Sequence, residues 1–152
     1  MFAGYLDYFR STLLDKLEGL SHDQLTTSRL PSGWTPLELL LHLTFVERRW
    51  LVWGFLGADV PDPWGDAVDG VWRTGPEDGL PELRTAFLAQ ADISRTIVTG
   101  HALSEVGRPG PRWDGAAPAT LERILLHLLQ EYARHLGQLD VVCELAGGPV
   151  GE

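Results

Sequence analysis

Apolar residues recur at three- and four-residue steps in four stretches of the chain, and no stretch alternates cleanly between apolar and polar positions. Phe2, Leu6, Phe9, Leu13, Leu17 and Leu20 predict a first helix over about 2–20. Ser21 and Gln24 have capping-box spacing, which predicts a short further turn. The second long helix has a marked start, with Thr35 as N-cap, Pro36 at the first helical position and Glu38 completing Thr-x-x-Glu. It is expected to run to about Leu56, where Gly57 stops it, and its apolar residues cover so much of its girth that it should be buried on more than one side. Residues 57–76 read as a loop carrying Trp64 and Trp72. A third helix fits Leu80 to Thr99, with Leu83, Phe87, Ala91, Ser94 and Val98 on one face. A second loop, 101–118, holds Trp113, and a fourth helix should begin near Ala119 and end at Gly147-Gly148. Four helices with two connections long enough to cross over predict an all-α fold, a four-helix bundle, in one domain over 1–152.

Composition narrows the function classes. Hydrophobic residues make up 44% and charged residues 22%, a globular balance. The 21 acids against 12 bases leave a formal net charge of −9, the wrong sign for a general phosphate-backbone binder, so no nucleic-acid partner is expected. No apolar run is long enough for a membrane span, and the first residues carry Asp7 without a basic region, so neither a membrane location nor a secretory signal is expected. The single cysteine, Cys143, fits a reducing cytoplasm.

Candidate chemistry lies on the fourth helix. At 100° per residue, His127, Glu131, Arg134, His135 and Gln138 share one sector of about 100° on an otherwise oily helix. Glu131 and His135, four apart, project side by side and can hold one divalent ion between them. In the second helix His42 sits among leucines, and a buried imidazole needs a partner for each nitrogen. A metal would satisfy one, with Glu38 one turn back as the candidate acceptor for the other. His42, Glu131 and His135 on facing helices would leave a coordination position open, as catalytic metal sites do. The competing reading is plain: a hydrogen-bonded core histidine and a surface Glu–His pair worth a few tenths of a kcal/mol. His127 is a fourth candidate, as ligand, supporting group or general base, while His22 and His101 should face water.

The segments GWTPLELLLHLTFVERRW and ILLHLLQEYARHLGQLD, some 75 residues apart, resemble the DinB-like superfamily. The closer similarity is to its actinobacterial branch related to the metal-binding domain of mycothiol-dependent maleylpyruvate isomerase, and it covers Leu6 to about Glu144. The resemblance implies an up-down-down-up four-helix bundle, often dimeric, that binds Zn²⁺, Ni²⁺ or another divalent metal. Matched position by position, it assigns the metal to His42, Glu131 and His135, with Glu131 standing where much of the superfamily has histidine. It further implies a low-molecular-weight thiol such as mycothiol as cosubstrate, its sulfur bound at the metal. The isomerase itself has an additional C-terminal domain, which has no counterpart before Glu152.

Two functions follow as expectations. One is a metal- and thiol-dependent S-transferase or isomerase acting on a small electrophile; the other is a non-catalytic metal-binding or stress-related bundle protein. Cys143 points roughly 80° away from the ligand direction on the helical wheel, so an external thiol suits the first reading better than an internal one. Arg48, Arg49 and Arg134 are the cations available to a bound carboxylate, although surface ion pairs are their commoner use. The open coordination position should look into a pocket roofed by the two tryptophan-bearing loops, since loops expose such rings only where they cover something.

Overall fold

The computed structural model describes residues 1–148; the last positions of the expected domain, 149–152, lie outside the described residues. The chain is all-α apart from one tiny hairpin. Helix α1 spans Phe2–Glu18 and α2 spans His22–Thr26, the latter closed by both hydrogen bonds of the Ser21–Gln24 capping box. Helix α3, Pro36–Glu47, starts with the Thr35–Glu38 capping box and Pro36 in its first turn, as the spacing predicts. Helices α4, Leu80–Gly100, and α5, Leu121–Ala146, complete the long elements; Thr120 caps α5 by accepting from the Arg123 N–H.

Helix α1 packs against α5 and α4, and α3 packs against α4 and α5, so the apolar faces of the four long helices share one core. Tyr132, Phe55, Phe87 and a set of leucines are fully enclosed there. The α1 positions expected inward are buried except for the half-buried Phe9, and on α4 Ile97 takes the inward place expected of Val98.

Arg10 also lies inside, on the same face as Leu6 and Leu13, because it meets Glu47 of α3. Glu47 is only 1% exposed. Its Oε1 accepts from Arg10 Nε at 2.8 Å and from the Tyr132 hydroxyl; its Oε2 accepts from Arg10 Nη2 at 2.8 Å and from the Ser94 hydroxyl. A buried carboxylate costs several kcal/mol unless it is paired and its lone pairs are filled. Here one side chain from each of α1, α3, α4 and α5 meets at that carboxylate, which aligns the helices along their axes as apolar packing alone does not.

Two features depart from the expected elements. The predicted second helix does continue to Phe55, but Arg48–Phe55 is π-helical, and the Leu56 N–H donates to the Leu51 carbonyl five residues back. A widened turn leaves carbonyls looking outward for partners. That of Gly54 accepts from Trp113 Nε1 at 3.1 Å. Gly54 has no Cβ to spare: one would lie 3.2 Å from the Arg49 carbonyl and 3.4 Å from both Arg112 and Trp113. The loop 57–76 contains the second departure, a hairpin of β1, Ala67–Val68, and β2, Val71–Trp72, pairing Ala67 with Trp72. Its turn residues Asp69 and Gly70 both have positive φ, 51° and 76°, as a two-residue primed turn requires.

Candidate metal centre

His42 projects from the second turn of α3, and Glu131 and His135 project from the middle of α5, which packs against it. Each offers one donor atom, and the three donors lie within 4.8 Å of one another. Donors around a zinc ion with bonds near 2.0–2.1 Å stand about 3.4 Å apart, so closing on an ion takes side-chain adjustments of the order of an ångström.

The protonation pattern favours a cation at this point. His135 Nδ1 is 2.8 Å from Gln138 Oε1, an acceptor, so Nδ1 carries a proton. His135 Nε2 then faces Glu131 Oε2 at 3.2 Å. The space between them must hold positive charge, a proton or a metal ion, because two lone pairs otherwise oppose each other. The hydrogen bond with His135 is the main influence holding the Glu131 carboxyl below its usual value, against the opposing effect of burial.

The His42 ring is fixed on two sides. Its Nδ1 donates to Asp66 Oδ2 at 2.9 Å, which turns Nε2 toward Glu131 and His135. The Trp72 ring stacks on its face, with centroids 4.0 Å apart and planes 21° apart. The hairpin accounts for both contacts: Asp66 immediately precedes β1, its carbonyl accepts from the Arg73 N–H, and Trp72 is the cross-strand neighbour of Ala67. Asp66 is 2% exposed and is itself gripped by Arg49, whose Nη1 and Nη2 donate to its two oxygens at 2.6 and 3.1 Å. Burial alone would raise the Asp66 pKa, but hydrogen bonds from His42 and Arg49 prevail and hold it below the ordinary carboxylate value. For His42 burial is the largest influence and keeps the imidazole below its usual value despite Asp66.

Glu38 is not the acceptor that completes His42. Its carboxylate accepts from the Thr35 N–H at 2.8 Å, the reciprocal bond of the capping box, and a second oxygen lies 3.6 Å from Arg73. Helix-end chemistry claims this residue, and the loop acid Asp66 takes the expected role. Nor is Arg49 available to a bound carboxylate, since Asp66 occupies it; Arg48 donates to the Pro61 carbonyl, and Arg134 is exposed.

His127 stands one turn before Glu131. Its Nε2 lies 3.3 Å from Glu131 Oε1, outside the three-donor cluster, and its ring rests 4.3 Å from that of Trp50. Burial is the main cause holding His127 below the ordinary imidazole value. His22 is exposed, whereas His101 is half-buried against Phe55 and sits 3.0 Å from Glu105. Of the loop tryptophans, Trp72 touches both candidate histidines, its ring 5.3 Å from that of His135. Trp113 is one ring removed, packed edge-on against Trp50, and Trp64 lies under the Arg49 guanidinium. Cys143 is fully buried, and burial raises its thiol pKa, which leaves it a core residue.

A family model described as mycothiol S-transferase matches residues 1–148. The chain belongs to this mycothiol S-transferase family, which is DinB-like, as the two helical motifs imply. Two curated proteins are also similar, each described as Holliday junction branch migration complex subunit RuvA, one from Synechococcus elongatus and one from Synechococcus sp.. Each is 27% identical over 145 residues, a match covering 93% of this chain and 66% of the relative, so the chain spans about two thirds of their length. Among the described residues, no helix of this family member is long and apolar enough to cross a membrane.

Proposed function

We propose that this protein is a metal-dependent S-transferase that takes a small thiol of the mycothiol type and joins it to an electrophile. The observation that carries the reading is the meeting of His42, Glu131 and His135 across two helices, in a chain of the mycothiol S-transferase family. We read the four long helices as one up-down-down-up DinB-like bundle, and the chain as a single domain, cytoplasmic and homodimeric. Tyr5 and Tyr8 of α1 and Val141 and Leu145 of α5 are among the exposed apolar residues available to a second copy. A net charge of −9 opposes binding to a phosphate backbone.

In this reading His42 Nε2, His135 Nε2 and a Glu131 oxygen hold the ion, with Zn²⁺ the first choice and Ni²⁺ or another divalent metal compatible with the donors. When bound, such an ion lowers the pKa of a thiol placed beside it and keeps the sulfur as thiolate at neutral pH. The protein's own residues do the rest. Asp66 keeps the proton of His42 on Nδ1, and Gln138 does the same for His135, so both Nε2 atoms present lone pairs. Trp72 stacks on the His42 ring and shields that face. His127 Nε2 faces the Glu131 oxygen turned away from His135 and steadies that carboxylate.

Cobalt substitution followed by titration with mycothiol tests the proposal. Thiolate-to-metal charge-transfer bands that appear with mycothiol and vanish in His135→Ala are the expected result. A cobalt spectrum indifferent to mycothiol would leave a metal-binding bundle without thiol chemistry and overturn the transferase reading.

A further inference from the structure

The two buried arginines, Arg10 and Arg49, are both paired with acids, and so is the half-buried Arg95. Arg10 meets Glu47 and Asp7, Arg49 meets Asp66, and Arg95 meets Asp7 and Asp92. Arg112 differs. It sits on the short 3-10 turn Pro111–Trp113, held against the π-helical segment by the Trp113 bond to Gly54. Its guanidinium carbon lies 4.1 Å from the centre of the Trp50 ring and 5.9 Å from that of Trp113. Among the described residues no carboxylate pairs with it, and its Nε is buried with no hydrogen-bond partner. Burial and the neighbouring Arg49 charge both act against its positive form.

A half-buried guanidinium without an anion is costly, and a chain with 21 acids and 12 bases has acids to spare for it. Stacking on Trp50 offsets part of that cost and holds the planar fork in place. The same Trp50 ring touches His127, whose Nε2 faces Glu131. Through Trp50 and His127, Arg112 is therefore linked to the Glu131 side of the metal centre.

We propose that Arg112, backed by Trp50, is a carboxylate-binding subsite beside the metal centre, and that the molecules reacting there include one bearing a carboxylate. This rests on the reading of His42, Glu131 and His135 as the reacting centre. An arginine fork binds a carboxylate with two parallel N–H···O bonds. The carboxylate belongs to the electrophile or to a thiol that itself bears one, and the two sources separate experimentally.

Two pairs of probes, followed by tryptophan fluorescence on the zinc-loaded protein, make the test. N-acetylcysteine against its amide places the charge on a thiol; 4-methylbenzoate against 4-methylbenzamide places it on a thiol-free ring. The expected result is that at least one anion binds more tightly than its neutral partner, and that Arg112→Gln removes the preference, roughly tenfold or more. Arg112→Lys should keep part of it. Preference within the first pair assigns the subsite to the thiol, and within the second to the electrophile. Equal binding of anion and amide in both pairs by the unaltered protein overturns the proposal, a result that needs no variant to fold. Zinc content measured on the same samples separates the two readings: no bound zinc refutes the metal centre, while full zinc without anion preference refutes the subsite alone.

Discussion

Replacing Asp66 by alanine should affect metal affinity and stability by separable routes. The carboxylate lies between His42 Nδ1 at 2.9 Å and the Arg49 fork at 2.6 and 3.1 Å. Removing it leaves Arg49, whose side chain is 5% exposed, as a buried cation beside the Pro63 carbonyl and the Trp64 and Phe45 rings, with no anion. Breaking one side of a buried pair in this way costs about 3–5 kcal/mol of stability. His42 meanwhile loses the acceptor that fixes its tautomer and ring angle, and loss of such a partner lowers metal affinity about 10–100-fold. The double variant Asp66→Ala with Arg49→Met removes the orphaned charge and should regain most of the lost stability, while metal affinity stays low. Urea unfolding of chelator-treated protein reads the first effect, and zinc competition against a chromophoric chelator reads the second. Asp66→Ala binding zinc within twofold of the unaltered protein would refute the argument that the loop acid orients His42.

Other expectations follow from the same geometry. His135→Ala should lose most of its metal by elemental analysis, and full occupancy would sink the ligand assignment. Trp72→Phe should weaken binding of a thiol at unchanged metal content, whereas Trp113→Phe, which loses the bond to Gly54, should chiefly lower the unfolding temperature. Glu47→Ala leaves Arg10 in the core with the partly exposed Asp7 as its remaining acid and should cost about 3–5 kcal/mol in urea unfolding, with metal binding as the control. Burial holds His42 and His127 below the usual value of 6.5, so the unfolded metal-free chain takes up protons that the folded one refuses. Their contribution to stability is full above that pH and lost as pH falls toward their folded values; a urea midpoint that rises between pH 7 and 5.5 would contradict this.

The parts of the site legible in the sequence are those encoded by helical periodicity. Glu131 and His135 share a face because they are four apart, and the capping box at Thr35 locates the start of the helix that carries His42. Asp66 and Arg49 were not legible as a pair, since their meeting depends on the path of a loop. One local signal did exist: Asp69-Gly70 is a strong two-residue hairpin pair, and reading it brings Asp66 and Trp72 side by side. The π-helical turn has no comparable signature, because RRWLVWGF is compatible with an α-helix until Trp113 docks on Gly54. Arg10 and Glu47 interrupt apolar faces in the pattern, yet only the fold shows that the two interruptions coincide.

The hairpin that carries Asp66 also carries Trp72, so one small unit both grips the His42 ring edge and covers its face. Access and grip are thereby thermodynamically linked. If the hairpin lifts to admit a bulky molecule, Asp66 withdraws and the hold on the ion slackens in the same motion; a tightly held ion in turn keeps the hairpin shut. The amides of Ala67 and Arg73, which donate to Trp64 and Asp66, report on that motion, and their hydrogen exchange should slow when metal is added and quicken again in Asp66→Ala.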